Sequence, residues 1–236
     1  MNAVAPAVRL HLNKRVTTFL VPLNITALVA LISVVVALLF WRSGNVPGTT
    51  DWVQGSRANP GLAYGLVGFL AYLGVQSVAT TFPFALTLGA TRRSFVAGTL
   101  GWATITSAYL TAIFALLLTV ELATGHWFVG FYIFDVYILG AGELTRLVPI
   151  VFFTALSMLS VGGVFGASWV RHGARGPQVL AAAVALVLIG GLAIVLPWGE
   201  QILAAFELWW LVVAALVAIA MSAAGTWLLL RSASVR

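Results

Sequence analysis

The chain has 236 residues, 61% of them hydrophobic and only 8% charged, with a net charge of +6 and no cysteine. A soluble domain is about one quarter charged, so this chain cannot solvate a water-facing surface throughout and must leave much of it to lipid. The missing cysteine excludes disulfides, thiolate metal sites and a cysteine nucleophile. The positive balance fits a cytoplasmic excess of Lys and Arg in a membrane protein and not a nucleic-acid partner.

Residues 1–17 precede the first long apolar run. Within them Pro6–Val16 reads as a short amphipathic helix, with Val8, Leu12 and Val16 near helical spacing and Arg9 and Lys14 beside the stripe. Such an interfacial helix would lie on the inner leaflet with its cations toward anionic headgroups; the alternative is a frayed basic tail. The first apolar run starts too late and is too long for a secretory leader.

Six runs are long enough to cross a bilayer and nearly free of charge: Thr18–Trp41, Leu62–Leu86, Phe95–Val120, Leu147–Val170, Val179–Leu196 and Leu208–Leu230. The fold class expected is therefore an all-α integral membrane protein with one six-span domain over 18–230 and a short tail over 231–236. Between the first two spans, Arg42–Pro60 is rich in Gly, Pro, Asn and Thr and reads as irregular. Between the third and fourth, Glu121–Arg146 is the longest loop. Its aromatic stretch Trp127–Leu139 carries Asp135 in its middle and is too short for a seventh span. It reads as a segment resting at the membrane surface or as a lid, with its acids as solvated charge.

Orientation follows from Lys and Arg. With both termini inside, nine of the 12 cations are cytoplasmic: Arg9, Lys14, Arg15, Arg92, Arg93, Arg171, Arg175, Arg231 and Arg236. All 6 acids then fall outside, which is an independent check.

The chain carries no phosphate-binding Gly-x-x-x-x-Gly-Lys-Ser/Thr loop, and the cytoplasmic side has no acid to hold Mg²⁺. His11, His126 and His172 lie on separate segments and cannot share a metal. No catalytic residue, metal site or bound cofactor is expected, and the chain is not read as an enzyme. The spans offer only neutral polar groups, among them Gln76, Thr80, Thr104 and Ser107. These either line a transport path or make interhelical hydrogen bonds. Small residues at Gly65 and Gly68, at Gly162, Gly163 and Gly166, and at Ala223–Gly225 mark close helix packing. A neutral interior without its own energy source narrows function to a channel, an assembly factor or a transporter subunit driven by a partner.

The segment after the second span reads Phe82-Pro83-Phe84-Ala85-Leu86-Thr87-Leu88-Gly89-Ala90-Thr91-Arg92-Arg93-Ser94-Phe95. Pro83 should interrupt the helix, Gly89 permits a reversal, and Thr91 can cap a new helix that presents Arg92 and Arg93 to the cytosol. The plain alternative is a tight turn with topogenic arginines. This segment resembles the coupling segment of bacterial ABC-2-type ABC transporter permeases, and the six-span topology with an elbow helix is similar to that family. The resemblance implies the membrane subunit of an ATP-driven exporter in the cytoplasmic membrane, moving a lipophilic or amphipathic substrate. It implies that Gly89, Ala90, Thr91, Arg92, Arg93, Ser94 and Phe95 form a knob docking on a cytoplasmic ATPase. Two ATPase copies would bind ATP and Mg²⁺, and a second permease chain, identical or related, would complete the path. Family members with a large outer element often carry it between the fifth and sixth spans; here the longest loop joins the third and fourth.

Overall fold

The computed structural model describes residues 4–233, so Arg236 and the end of the 231–236 tail lie outside the described residues. Every regular element among those described is helical. Helix α1 is Val4–Leu12, ending a turn before the expected Val16, and a π-helical turn at Val16–Leu20 leads into α2, Val21–Arg42. Pro22 is the second residue of α2, directly after the π-helical turn.

The loop expected to be irregular contains a helix, α3, Thr50–Arg57. Thr49 caps it by accepting the Trp52 N–H at 3.4 Å, and Asp51 favours its N-terminal dipole. Its Trp52 is buried and donates Nε1 to the Gly130 carbonyl at 2.7 Å, a contact no local composition could reveal. The second span then divides into α4, Gly61–Ala79, and α5, Thr81–Thr87. The break falls at Thr80, just after Ala79, whose carbonyl would have accepted the N–H that Pro83 lacks, so Pro83 interrupts the helix as expected and sits in the first turn of α5.

The remaining helices are α6, Arg92–Ala123; α7, Leu144–His172; α8, Arg175–Val195; α9, Gly199–Ala204; and α10, Leu208–Leu230. Six stretches are long and apolar enough to cross a membrane: Val16–Arg42, Thr50–Thr87, Arg92–Ala123, Leu144–His172, Arg175–Ile202 and Leu208–Leu230. They contain the six runs read from the sequence.

The core is built by α4, α6 and α7, whose buried Leu66, Leu70, Leu73, Trp102, Leu110 and Leu159 belong to one apolar cluster. Between α4 and α7 the backbones themselves touch. A Cβ on Gly74 would lie 3.0 Å from the Gly162 Cα, and one on Gly162 would lie 2.9 Å from the Gly74 Cα. Lipid tails are as apolar as leucine, so helices in a bilayer associate through such close approach and not through the hydrophobic effect. Gly162 and Gly166 are thus packing residues as expected, Gly162 against the unanticipated Gly74 and Gly166 against the Val75 carbonyl; Gly68 meets nothing within 4 Å. By contrast α8 is exposed along its apolar length, with Val187 at 74% and Ile194 at 75%.

Successive spans run in opposite directions, which sorts charge between the two ends of the bundle. One end collects Arg9, Lys14, Arg15, Arg92, Arg93, Arg171, Arg175 and Arg231, and the other collects all 6 acids. These are called the basic end and the acidic end below.

Candidate functional site

At the basic end, α5 closes with a Schellman motif. The Ala90 N–H donates to the Ala85 carbonyl and the Gly89 N–H to the Leu86 carbonyl, both at 3.0 Å, with Gly89 at φ +81°. Only glycine adopts that conformation without a steric penalty. Two residues on, the Thr91 hydroxyl accepts the Ser94 N–H at 3.1 Å and caps α6. The seven residues of the expected knob thus form a reversal between two capped helices.

Their side chains divide in direction. Arg93 is exposed, while Ser94 and Phe95 are buried. Phe95 packs edge-on against Phe82 with ring centres 5.2 Å apart, so it anchors the turn from inside. Arg92 does not extend into solvent as expected. Its Nη1 donates to the Leu230 carbonyl at 2.9 Å and to the Arg231 carbonyl, and its Nη2 donates to the Ala233 carbonyl at 2.9 Å. The last carbonyls of α10 have no intrahelical donor. A guanidinium with its fork of donors satisfies several at once and complements the negative end of the dipole.

Helix α1 packs on the same part of α6. Ala7 sits over Gly98, where an added Cβ would also come within 3.2 Å of the Val4 carbonyl. His11 is buried against Trp102 and Phe95, with ring centres 5.1 and 5.6 Å away. The Thr99 hydroxyl gives its proton to the Phe95 carbonyl, so in the 3.0 Å contact between His11 Nε2 and Thr99 Oγ1 the imidazole is the donor. Burial, with Lys14 nearby, lowers the His11 pKa to about 4. Lys14 in turn donates to the hydroxyls of Thr80 and Thr81, both at 3.3 Å, at the α4–α5 break.

The four neutral residues read as path-lining do not converge. Gln76 donates to the Tyr72 hydroxyl at 3.1 Å, and the Thr80 hydroxyl donates to the Gln76 carbonyl at 2.7 Å. Thr104 is exposed and Ser107 fully buried; their hydroxyls donate to the carbonyls four residues back, at 2.9 and 2.8 Å. These bonds lie within one helix, not between helices. None of the four lines the groove of about 910 Å³ beside α1.

The acidic end holds an arrangement the sequence reading did not anticipate. Asp135, taken as solvated charge, is fully buried, and so is Glu121. The Glu121 carboxylate accepts the N–H groups of Ile133 (3.1 Å), Phe134 (2.7 Å) and Asp135 (3.2 Å), and the Trp127 indole N–H at 3.1 Å. The Asp135 Oδ2 accepts Arg57 Nη2 at 2.6 Å and His126 Nε2 at 3.0 Å. The Arg57 guanidinium also lies 5.3 Å from the Tyr132 ring centre, and the His126 ring centre is 4.0 Å from that of Tyr132. So anchored, the aromatic segment folds onto the bundle, with Phe131, Ile133, Phe134, Val136 and Leu139 buried and Phe128, Tyr137 and Ile138 exposed. The one clue in the sequence is an aspartate inside an apolar aromatic run, since a buried charge must find partners.

Within this cluster Glu121 and the Asp135 Oδ2 are satisfied while Asp135 Oδ1 and Arg57 Nε are buried without a partner, and the cluster holds α3, the end of α6 and the aromatic segment together. The knob is different: its Arg93 is exposed, as are Leu88 and Phe84 on the helix end just before it. In comparisons of this chain with protein-family models, with curated proteins and with solved structures, nothing matched.

Proposed function

We propose that the chain is the membrane-spanning subunit of an ATP-driven exporter of the ABC-2 type. In this reading the basic end is cytoplasmic, following the bias of Lys and Arg. The chain lies in the cytoplasmic membrane and α1 is an amphipathic elbow on the inner leaflet. Two six-span chains, identical or related, enclose the path, and two copies of an ATP-binding subunit dock on Gly89–Phe95. The cargo is lipophilic or amphipathic, in keeping with spans that contain no charge at mid-depth.

The observation that carries the reading is the convergence of several spans on this one turn. Arg92 holds the end of α10, Phe95 and Gly98 hold α1, and α1 continues through Lys14 to the end of α4. A force applied at Arg93 and Leu88 would reach α4, α6 and α10 together. That is what a motor on a separate chain requires.

The test is co-purification with an ATP-binding subunit encoded nearby. Arg93→Glu is the clean variant, because Arg93 is exposed whereas Arg92 also caps α10. The expected result is an intact, folded chain that loses the ATPase and whose transport falls about tenfold or more, as for a reversed contact charge. If Arg92→Glu with Arg93→Glu left both assembly and ATP-dependent transport unchanged, the coupling role would be wrong. An ATPase-independent channel or assembly factor would then be the better reading.

A further inference from the structure

The groove of about 910 Å³ lies between α1, the turn that opens the first span, the end of α5, and α6. His11 on α1 is buried against α6 and takes no part in the lining, while Pro6, Ala7, Arg9 and Leu10 of the same helix line the groove. The lining changes character between its contributing segments. Arg9 and Arg15 precede the first span, whereas Phe19 and Ile105 belong to membrane-crossing stretches.

Among the described residues the two arginines have no carboxylate partner. The ion pairs among the described residues join Arg57, His126 and Arg146 to acids at the acidic end. All 6 acids of the chain are at that end too. The groove therefore combines positive charge with an apolar wall continuing into the spans. Its volume is at the upper end of the roughly 300–1,000 Å³ typical of small-molecule sites.

We propose that this groove is a binding site for one anionic phospholipid. Arg9 and Arg15 hold the phosphate, and an acyl chain lies against Leu10, Phe19 and Ile105. A soluble anion would use the arginines but leave the apolar wall bare. A zwitterionic lipid would bring an ammonium group beside them. Leu88, Gly89 and Ala90 line the same groove, so a bound lipid touches the knob from its membrane side. That link to coupling rests on the exporter reading; lipid binding itself does not.

The experiment is native mass spectrometry of the purified full-length chain in a neutral detergent, titrated with phosphatidylglycerol or phosphatidylcholine. One phosphatidylglycerol should be retained per chain, with about tenfold preference over phosphatidylcholine. Arg9→Gln with Arg15→Gln should weaken its retention roughly thirtyfold, the joint effect of two basic residues at an anionic headgroup. Ile105→Trp, at an exposed position on the groove wall, keeps the charge but fills the apolar wall, and should also reduce retention. Equal retention of the two lipids, or an unchanged arginine variant, would overturn the proposal. Loss with the arginine variant but not with Ile105→Trp would mean diffuse attraction to a basic surface and no groove site. Displacement by glycerol phosphate would mean a site for phosphate alone. No ATPase is present in the measurement, so its outcome is independent of the exporter assignment.

Discussion

The two ends of the bundle use charge in opposite ways. At the acidic end, Glu121 and Asp135 are withdrawn from solvent and engaged by the chain's own N–H, indole, imidazole and guanidinium groups. At the basic end only Arg92 and Lys14 have hydrogen-bond partners among the described residues, both neutral, while Arg9, Arg15 and Arg93 remain exposed. Charge neutralised internally builds a rigid cap. Charge left outward is available to lipid or to another chain.

The largest effect expected is at Glu121. Replacing it with alanine leaves three buried N–H groups and an indole without their acceptor, and should destabilise the chain by about 4 kcal/mol in denaturant unfolding in detergent. A loss below about 1 kcal/mol would show that the cap does not depend on its buried carboxylate.

Next comes a pH effect at the other end. The folded pKa of His11, about 4, is below the unfolded value of 6.5. Above pH 6.5 both states are neutral; as pH falls from about 6.5 toward 4, the unfolded chain takes up a proton that the folded chain refuses. Stability should drop by about 3 kcal/mol across that window. His11→Gln should flatten that part of the profile, and an equally steep profile in the variant would assign the proton elsewhere.

Arg92→Gln should cost about 1–2 kcal/mol through the lost α10 cap, while Arg93→Gln should stay within about 0.5 kcal/mol. Equal effects on thermal unfolding would erase the distinction drawn between the two arginines.

The smallest effect has the opposite sign. His126, Trp127 and Phe128 all have left-handed backbone, at φ 60°, 60° and 64°, and Phe128 is 85% exposed. Left-handed geometry costs a non-glycine residue about 1–2 kcal/mol, against about 0.5–1 kcal/mol of extra chain entropy for glycine. Phe128→Gly should therefore raise stability by about 0.5 kcal/mol, measured as a shift of the unfolding midpoint.

The six spans and the Gly89 reversal were legible because length, apolarity and turn chemistry are local properties. Thr91 as a cap was legible for the same reason. What escaped the sequence reading was long-range pairing. Arg57 and Asp135 are 78 positions apart, and Arg92 and the Ala233 carbonyl 141 apart. No periodicity links such partners. Helix α3 escaped because Gly and Asn suggested irregularity, whereas a Thr cap and a buried Trp outweighed them. The hydroxyls of Thr104 and Ser107 sit on the expected helix, but rotamers that return them to their own backbone cannot be read from spacing.

The contact between Gly74 and Gly162 bears on how movement could travel through the protein. Side chains between two helices act as padding, since rotamers can shift and absorb a displacement. Here backbone lies against backbone, with no padding to compress. Helices α4 and α7 should therefore behave as one lever arm, and a tilt begun beside Thr80 would arrive undamped at Leu144, where α7 meets the folded cap.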